Sequence, residues 1–234
     1  MANEYSSTWF EVFMGSFPVE RTKVQLAFLK KQLPLPRYRK VLDVCSGWGR
    51  IAGPLALAGY EMTAIDRDKE CIREGTGRFP GIAFVEMDMR RVASMGSRFD
   101  AVLCLWSSFG YFDAITNRRV LQGMGEVLNP GGRIILDIYN RPYFESRQGT
   151  ETAVVAGRRI ETERLVEGKR LRSRVDYGDG KADDFNWESF TPREAVELAT
   201  GCGLSTAVMC ADFNEAIPPA DDKASFQLVL GKGQ

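Results

Sequence analysis

The sequence predicts an α/β protein built on a doubly wound, mostly parallel sheet, and three observations carry that expectation. From residue 40 to residue 140, short apolar runs alternate with stretches of helical periodicity, the pattern of strands joined by helical crossovers. The first of those runs contains an acid and opens into a loop holding Gly47 and Gly49, residues that let backbone approach a ligand closely. Past Arg141 the texture changes. Leu171, Ser173, Val175 and Tyr177 alternate with Arg170, Arg172, Arg174 and Asp176, as in an antiparallel strand with one wet face.

Ahead of the alternating region, Val19, Leu26, Leu29 and Leu33, with Val24, Ala27 and Phe28 beside them, recur at helical spacing until Pro34 and Pro36 stop the helix. Upstream, Trp9, Phe10, Phe13 and Phe17 crowd a short segment that serves either as core packing or as a flap over a ligand. Residues 40–44 read as a buried strand, followed by the glycine loop and a helix over residues 50–57 that Gly59 ends. Residues 61–65 and 82–86 are the next two strands, with Asp68 capping the helix between them. A fourth strand spans 100–106, a helix 117–128, and a fifth strand 132–139, launched from the turn Asn129-Pro130-Gly131-Gly132.

Gly168 marks the hairpin turn before the alternating strand. Thr191 caps a helix over 191–200, with Pro192 at its first position and Glu194 completing a capping box. Strands over 205–210 and 225–230 close the chain. The expected organisation is one domain over 1–234: an N-terminal helical cap (1–39), a ligand-binding core (40–140), an antiparallel insert (141–190), and a C-terminal helix with closing strands (191–234).

Composition removes several function classes. Thirty-one basic residues balance thirty-one acidic ones, so no positive field gathers nucleic acid or an anionic membrane, and the small basic run at Arg37, Arg39 and Lys40 reads as a solvated loop. No apolar stretch reaches the roughly 18 residues of a membrane span, and no secretory pattern opens the chain, which points to the cytoplasm. The five cysteines form no C-x-x-C pair and are expected to be reduced thiols. With no histidine, the usual zinc sites and every Ser-His or Cys-His nucleophile are excluded.

The segment Val41-Leu42-Asp43-Val44-Cys45-Ser46-Gly47-Trp48-Gly49-Arg50 is where a ligand is expected, because open parallel sheets bind at strand carboxyl ends. Asp43 can neutralise a cationic amino group there. This segment resembles the first motif of the class I S-adenosylmethionine-dependent methyltransferases, an acid followed by a G-x-G-x-G loop, except that Cys45 replaces the first glycine. Asp66 and Asp88 stand where that family holds the ribose hydroxyls and the adenine amino group, and Met89 where a side chain packs on the ring. Ser108-Phe109-Gly110-Tyr111-Phe112 is similar to the S-F-G-Y-F stretch of a bacterial small-molecule subgroup.

The resemblance implies a Rossmann-like, seven-stranded sheet with an antiparallel insert after strand five. It implies S-adenosylmethionine as cofactor, with S-adenosylhomocysteine as product, bound by Asp43, Cys45, Gly47, Gly49, Asp66, Arg67, Asp88, Met89 and Trp106. It implies a small-molecule N or O acceptor near Trp9, Phe109, Tyr111 and Tyr139, with Tyr111 the catalytic candidate. Residues 151–188 and the aromatic N-terminal segment are expected to wall the acceptor pocket, the alternative use of the insert being a dimer interface. If a hydroxyl is methylated, Tyr111, Asp113, Tyr139 and Glu188 are the candidate bases.

A magnesium-assisted reaction is not expected, since Asp137 and Asn140 offer oxygen ligands on one side only. Trp106-Ser107-Ser108-Phe109 departs from the Asn/Asp-Pro-Pro-aromatic motif of nucleic-acid amino methyltransferases, and Cys104 follows Leu103 rather than the proline of a cytosine nucleophile. The expected partners are therefore a small molecule, no nucleic acid, no membrane and no metal, in a monomer or homodimer. Two alternatives stay open: a nicotinamide-dependent oxidoreductase, since Gly47-Trp48-Gly49-Arg50-Ile51-Ala52 fits G-x-G-x-x-A, and a cofactor-binding subunit without activity of its own. Against the first, Asp43 would repel a pyrophosphate at the loop.

Overall fold

Val41, Leu42 and Val44 of β1 (Lys40–Val44) are fully buried, as a strand covered by helices on both faces requires. The structure is a computed structural model that describes residues 5–233; residues 1–4 and 234, the ends of the expected domain, lie outside it. On one side of β1 run β2 (Glu61–Asp66) and β3 (Ala83–Glu86). On the other run β4 (Phe99–Cys104), β5 (Leu128–Tyr139), β11 (Ser225–Lys232) and β10 (Leu204–Cys210). The order β10-β11-β5-β4-β1-β2-β3 has parallel neighbours from β5 through β3, while β11 is antiparallel to both β5 and β10. This is the predicted seven-stranded α/β sheet, and its order reverses between β1 and β4, where a crevice opens at the strand ends.

Alternate side chains feed two cores. Leu42, Val44, Val102 and Leu136 pack with Val120, Leu121 and Met124 of α5 (Ala114–Glu126) and with Ala195 and Ala199 of α7 (Pro192–Thr200). Val41, Ala101, Leu103 and Ile135 pack with Phe28 and Leu29 of α2 (Val19–Gln32) and Leu55 of α3 (Ala52–Leu57). The capping box of α7 forms as expected, and Asp68 caps α4 (Lys69–Arg78) through the amides of Glu70 and Cys71.

Several boundaries differ from expectation, among them the fifth strand, which begins at Leu128 rather than at 132, and two of the differences have local reasons. The helix expected from 117 begins at Ala114, because the Asp113 carboxylate accepts the Thr116 N–H and starts it a turn early. The fourth strand stops at Cys104, since Trp106 and Ser107 take φ of 54° and 55°, a left-handed turn no strand continues through.

The insert is a separate antiparallel sheet of β6 (Gly149–Val155), β7 (Arg158–Glu167), β8 (Arg170–Asp176) and β9 (Ala182–Glu188), with Gly168 turning β7 into β8. Leu171, Ser173 and Val175 face inward with Phe185 and Trp187, while Arg172 and Arg174 face water. The insert docks through the Glu188 N–H, which donates to the Gly110 carbonyl at 2.7 Å. A Cβ on Gly110 would stand 2.4 Å from the Glu188 carbonyl oxygen, so glycine permits that seam.

Candidate functional site

A cavity of about 420 Å³ lies over the carboxyl ends of β1, β2 and β4, closed by the N-terminal segment and the inner face of the insert. Its volume suits a small-molecule site. Asp43 lines it from the end of β1 and is only 4% exposed. Burial raises its pKa from 3.8 to about 7, with the Arg50 charge opposing and the Asp66 charge adding.

Cys45 takes φ of 58°, the left-handed conformation that glycine adopts without the cost of a Cβ. Its thiol is raised by a hydrogen bond with Cys104 and by burial, so it is no nucleophile at neutral pH. Gly47, at φ of 54°, donates its N–H to Asp66 Oδ2 at 2.9 Å, and a Cβ there would stand 2.9 Å from Met14 Cε. Asp66 Oδ1 accepts the Asp68 N–H at 3.0 Å, which leaves each oxygen a free lone pair toward the cavity. Burial raises the Asp66 pKa against those two backbone bonds. Gly49 is not on the cavity wall; a Cβ there would meet the Phe84 ring at 2.8 Å, so it serves the packing of β3 under the loop.

Arg50, which sequence reasoning did not single out, reaches into the cavity from the end of the same loop. Its guanidinium donates to Gln25 Oε1 at 2.6 Å and Thr22 Oγ1 at 3.1 Å, and lies 4.0 Å from the Phe17 ring centroid. Burial lowers its pKa to about 10, with Asp43 and Asp137 opposing. Among the described residues no ion pair within 4 Å joins Arg50 to Asp43. Two desolvated opposite charges thus face one cavity unjoined, an arrangement that a ligand carrying both an ammonium and a carboxylate satisfies.

Arg67, Met89 and Trp106 also line the cavity, Trp106 packed between Trp9 at 5.1 Å and Phe17 at 5.1 Å. The left-handed turn at Trp106 and Ser107 is held by Asp137, whose carboxylate accepts the Trp106 N–H at 3.1 Å and the Gln227 amide at 2.8 Å. Asp88 lines the cavity too, but its carboxylate is gripped by Arg90 at 2.5 Å and caps the turn that follows; the Arg90 hydrogen bond holds its pKa low.

The other half of the cavity is aromatic. Tyr5 and Tyr111 share a hydrogen bond of 2.6 Å, and Tyr139 meets Trp187 edge-on at 5.1 Å. Burial raises the Tyr111 phenol far above its ordinary range and pushes Tyr139 up to about 12, Asp137 adding to the latter and Arg164 opposing. Both are proton donors or neutral acceptors at neutral pH. Phe109, expected at the acceptor, is turned into the core and stacks on Phe190 at 5.9 Å. Asp113 is committed to capping α5, and the buried Glu188 accepts the Asn117 amide at 2.7 Å; neither lines the cavity. Tyr5, Arg164 and Trp187 also line it; none was singled out from the sequence, though the last two lie in the insert expected to wall the pocket. Among the described residues no three of His, Cys, Asp or Glu gather as metal ligands, and no helix is long and apolar enough to cross a membrane.

Residues 41–132 match the methyltransferase domain family. Over 211 residues the chain is 30% identical to YqeM of Bacillus subtilis, which carries a methyltransferase name, across 82% of this chain and 84% of that protein. It is 32% identical over 104 residues to the demethylmenaquinone methyltransferase of Paenarthrobacter aurescens, a match covering 44% of this chain and only 40% of that relative's length. The crystal structure of an S-adenosylmethionine-dependent methyltransferase from Clostridium acetobutylicum superposes with a TM-score of 0.81 over 97% of both chains, at 12% identity, a likeness of fold.

Proposed function

The chain belongs to the class I S-adenosylmethionine-dependent methyltransferases, and from that premise we propose that it methylates a neutral amine of a small molecule. The observation that carries the cofactor end is the Asp43–Arg50 pair: the donor set fits an amino-acid zwitterion, the ammonium on Asp43 and the carboxylate on Arg50. The free lone pairs of Asp66 fit vicinal hydroxyls, and Met89 gives an apolar surface to a ring. Asp88, being held by Arg90, contributes through the backbone beside it more than through its own carboxylate.

When bound, S-adenosylmethionine supplies a methyl group on a sulfonium, an electrophile open to attack in line with the departing sulfur. What this chain must add is placement, and positioning alone is worth roughly 7 to 11 kcal/mol when the geometry is held. Tyr5, Trp9 and Trp106 exclude water over the strand ends, and their ring faces favour a nearby cation. Tyr111 and Tyr139 orient the acceptor by hydrogen bonds as protonated phenols. Beyond the acids of the cofactor end, the only carboxylate on the cavity wall among the described residues is Glu151, already paired with Arg164 at 2.7 Å. A hydroxyl acceptor would have no ready base there, whereas a neutral amine needs none before attack.

The testing experiment is transfer from isotope-labelled S-adenosylmethionine to a panel of amines and matched alcohols, read by mass spectrometry beside calorimetric binding of S-adenosylhomocysteine. Methylated amines support the proposal. Methylation confined to alcohols overturns the acceptor assignment, and tight binding with no transfer to any acceptor favours the subunit without activity.

A further inference from the structure

Resting on that reading, we propose that the acceptor also carries a carboxylate, and that Arg164 and the indole N–H of Trp187 bind it. The two side chains lie on the inner face of the insert, where strand register sets Arg164 opposite Ser173 and Leu171 opposite Trp187, and all four line the cavity. Arg164 is the only cation this sheet contributes to the cavity wall among the described residues. Its partner Glu151 stands at the rim with 68% of its side chain exposed, against 27% for Arg164. An exposed carboxylate holds a guanidinium weakly, so a ligand carboxylate arriving from within can replace it.

Trp187 supplies the independent observation. It is 6% exposed, yet its indole nitrogen has no hydrogen-bond partner. A buried N–H without an acceptor is a standing cost unless something provides one. Trp187 is among the residues that line the cavity, whereas the other orphaned buried atoms among the described residues belong to Asn140 and Thr206, which do not line it. The rest of the cavity supports the direction. On the reading above, Asp43, Arg50 and Asp66 are taken up by the cofactor's own ammonium, carboxylate and hydroxyls, so the acidic group of an acceptor belongs at the far end, under the insert. One guanidinium and one neutral donor suit a planar monoanion; a phosphate dianion would call for more positive charge.

The test uses the full chain saturated with S-adenosylhomocysteine and three probe pairs: acetate, benzoate and indole-3-acetate, each against its own neutral amide, titrated by calorimetry. At least one acid should bind about tenfold more tightly than its amide. Arg164→Gln should abolish that preference, Arg164→Lys should keep part of it, and Trp187→Phe, which keeps the ring and removes the N–H, should weaken it about threefold. All three variants should retain S-adenosylhomocysteine affinity, which checks that they fold. No acid preference in any pair, or a preference that survives Arg164→Gln, overturns the proposal. Titrating the pairs without S-adenosylhomocysteine separates this outcome from failure of the methyltransferase reading, which would show as no binding of that product by the unaltered protein.

Discussion

The phenol oxygens of Tyr5 and Tyr111 lie 2.6 Å apart, joining the N-terminal segment to the loop after β4 across 106 residues of sequence. Tyr5 also packs on Phe185 of the insert at 4.8 Å, and the neighbouring Ser6 hydroxyl donates to Asp183 at 2.7 Å. One short segment therefore ties the parallel sheet's loop to the antiparallel insert, over the mouth of the cavity.

Replacing Tyr5 by Phe removes that hydrogen bond and keeps the ring. The expected loss is about 0.5 to 1.5 kcal/mol of closure, roughly a two- to tenfold fall in kcat/KM. S-adenosylhomocysteine affinity should hardly change, because Tyr5 stands at the acceptor end. A fall in cofactor affinity equal to the fall in turnover would show that the segment serves the cofactor instead.

Asp43→Asn should divide stability from binding. The folded protein holds Asp43 at about 7 against an ordinary 3.8, so the fold favours the neutral carboxyl. Its stabilising contribution is complete below the unfolded value and is lost as pH rises through about 7. Asparagine stays neutral, so the variant without ligand should gain in melting temperature relative to the unaltered protein between about pH 5 and 8. The same change should weaken S-adenosylhomocysteine about tenfold or more at pH 8, the gap narrowing as Asp43 protonates below about 7. Parallel melting curves against pH would reject the assignment.

Arg50→Lys keeps a positive charge but not the planar guanidinium, whose Nη1 donates to both Thr22 and Gln25. Affinity for S-adenosylhomocysteine should drop about tenfold, with a much smaller loss for a cofactor fragment lacking the carboxylate, such as 5′-methylthioadenosine. Equal losses for both would place Arg50 outside the carboxylate site.

Cys45→Gly restores the residue type that the loop conformation prefers. Left-handed φ costs a residue with a Cβ about 1 to 2 kcal/mol, while glycine gives back about 0.5 to 1 in unfolded-state entropy. A net gain of up to about 1 kcal/mol, or roughly 2 to 4 °C in Tm, is expected. A lower Tm would mean that the thiol's packing against Cys104 outweighs the strain.

Asp66→Ala should weaken cofactor binding by about 1.5 to 3 kcal/mol and lower Tm as well. The second effect follows from the structure, since the carboxylate also accepts the amides of Gly47 and Asp68. Unchanged affinity by calorimetry would limit Asp66 to holding the loop.

Much of this molecule was legible in order along the chain. Strand and helix alternation, the caps at Asp68 and Thr191 and the turn at Gly168 are local signals, each a side chain answering backbone groups a few residues away. Asp43, Asp66 and Asp88 could be placed at successive strand ends because period and parallel order follow from the same alternation. What their carboxylates do was less accessible: Asp88 faces Arg90 as much as the cavity, and Phe109, in the most suggestive motif, turns inward to Phe190.

By itself, then, the sequence determined the sheet, its glycine loop and the side on which a ligand would sit, because those depend on periodicity and on short-range backbone demands. Only the tertiary structure decided the composition of the cavity. Arg50 acquires its role from Gln25 and Thr22, Tyr5 from Tyr111, and Trp187 from a strand that packs back over loops far earlier in the chain. Desolvation, which sets Asp43 near neutrality and keeps the tyrosines protonated, is a property of everything packed around a group, and no window of sequence contains it.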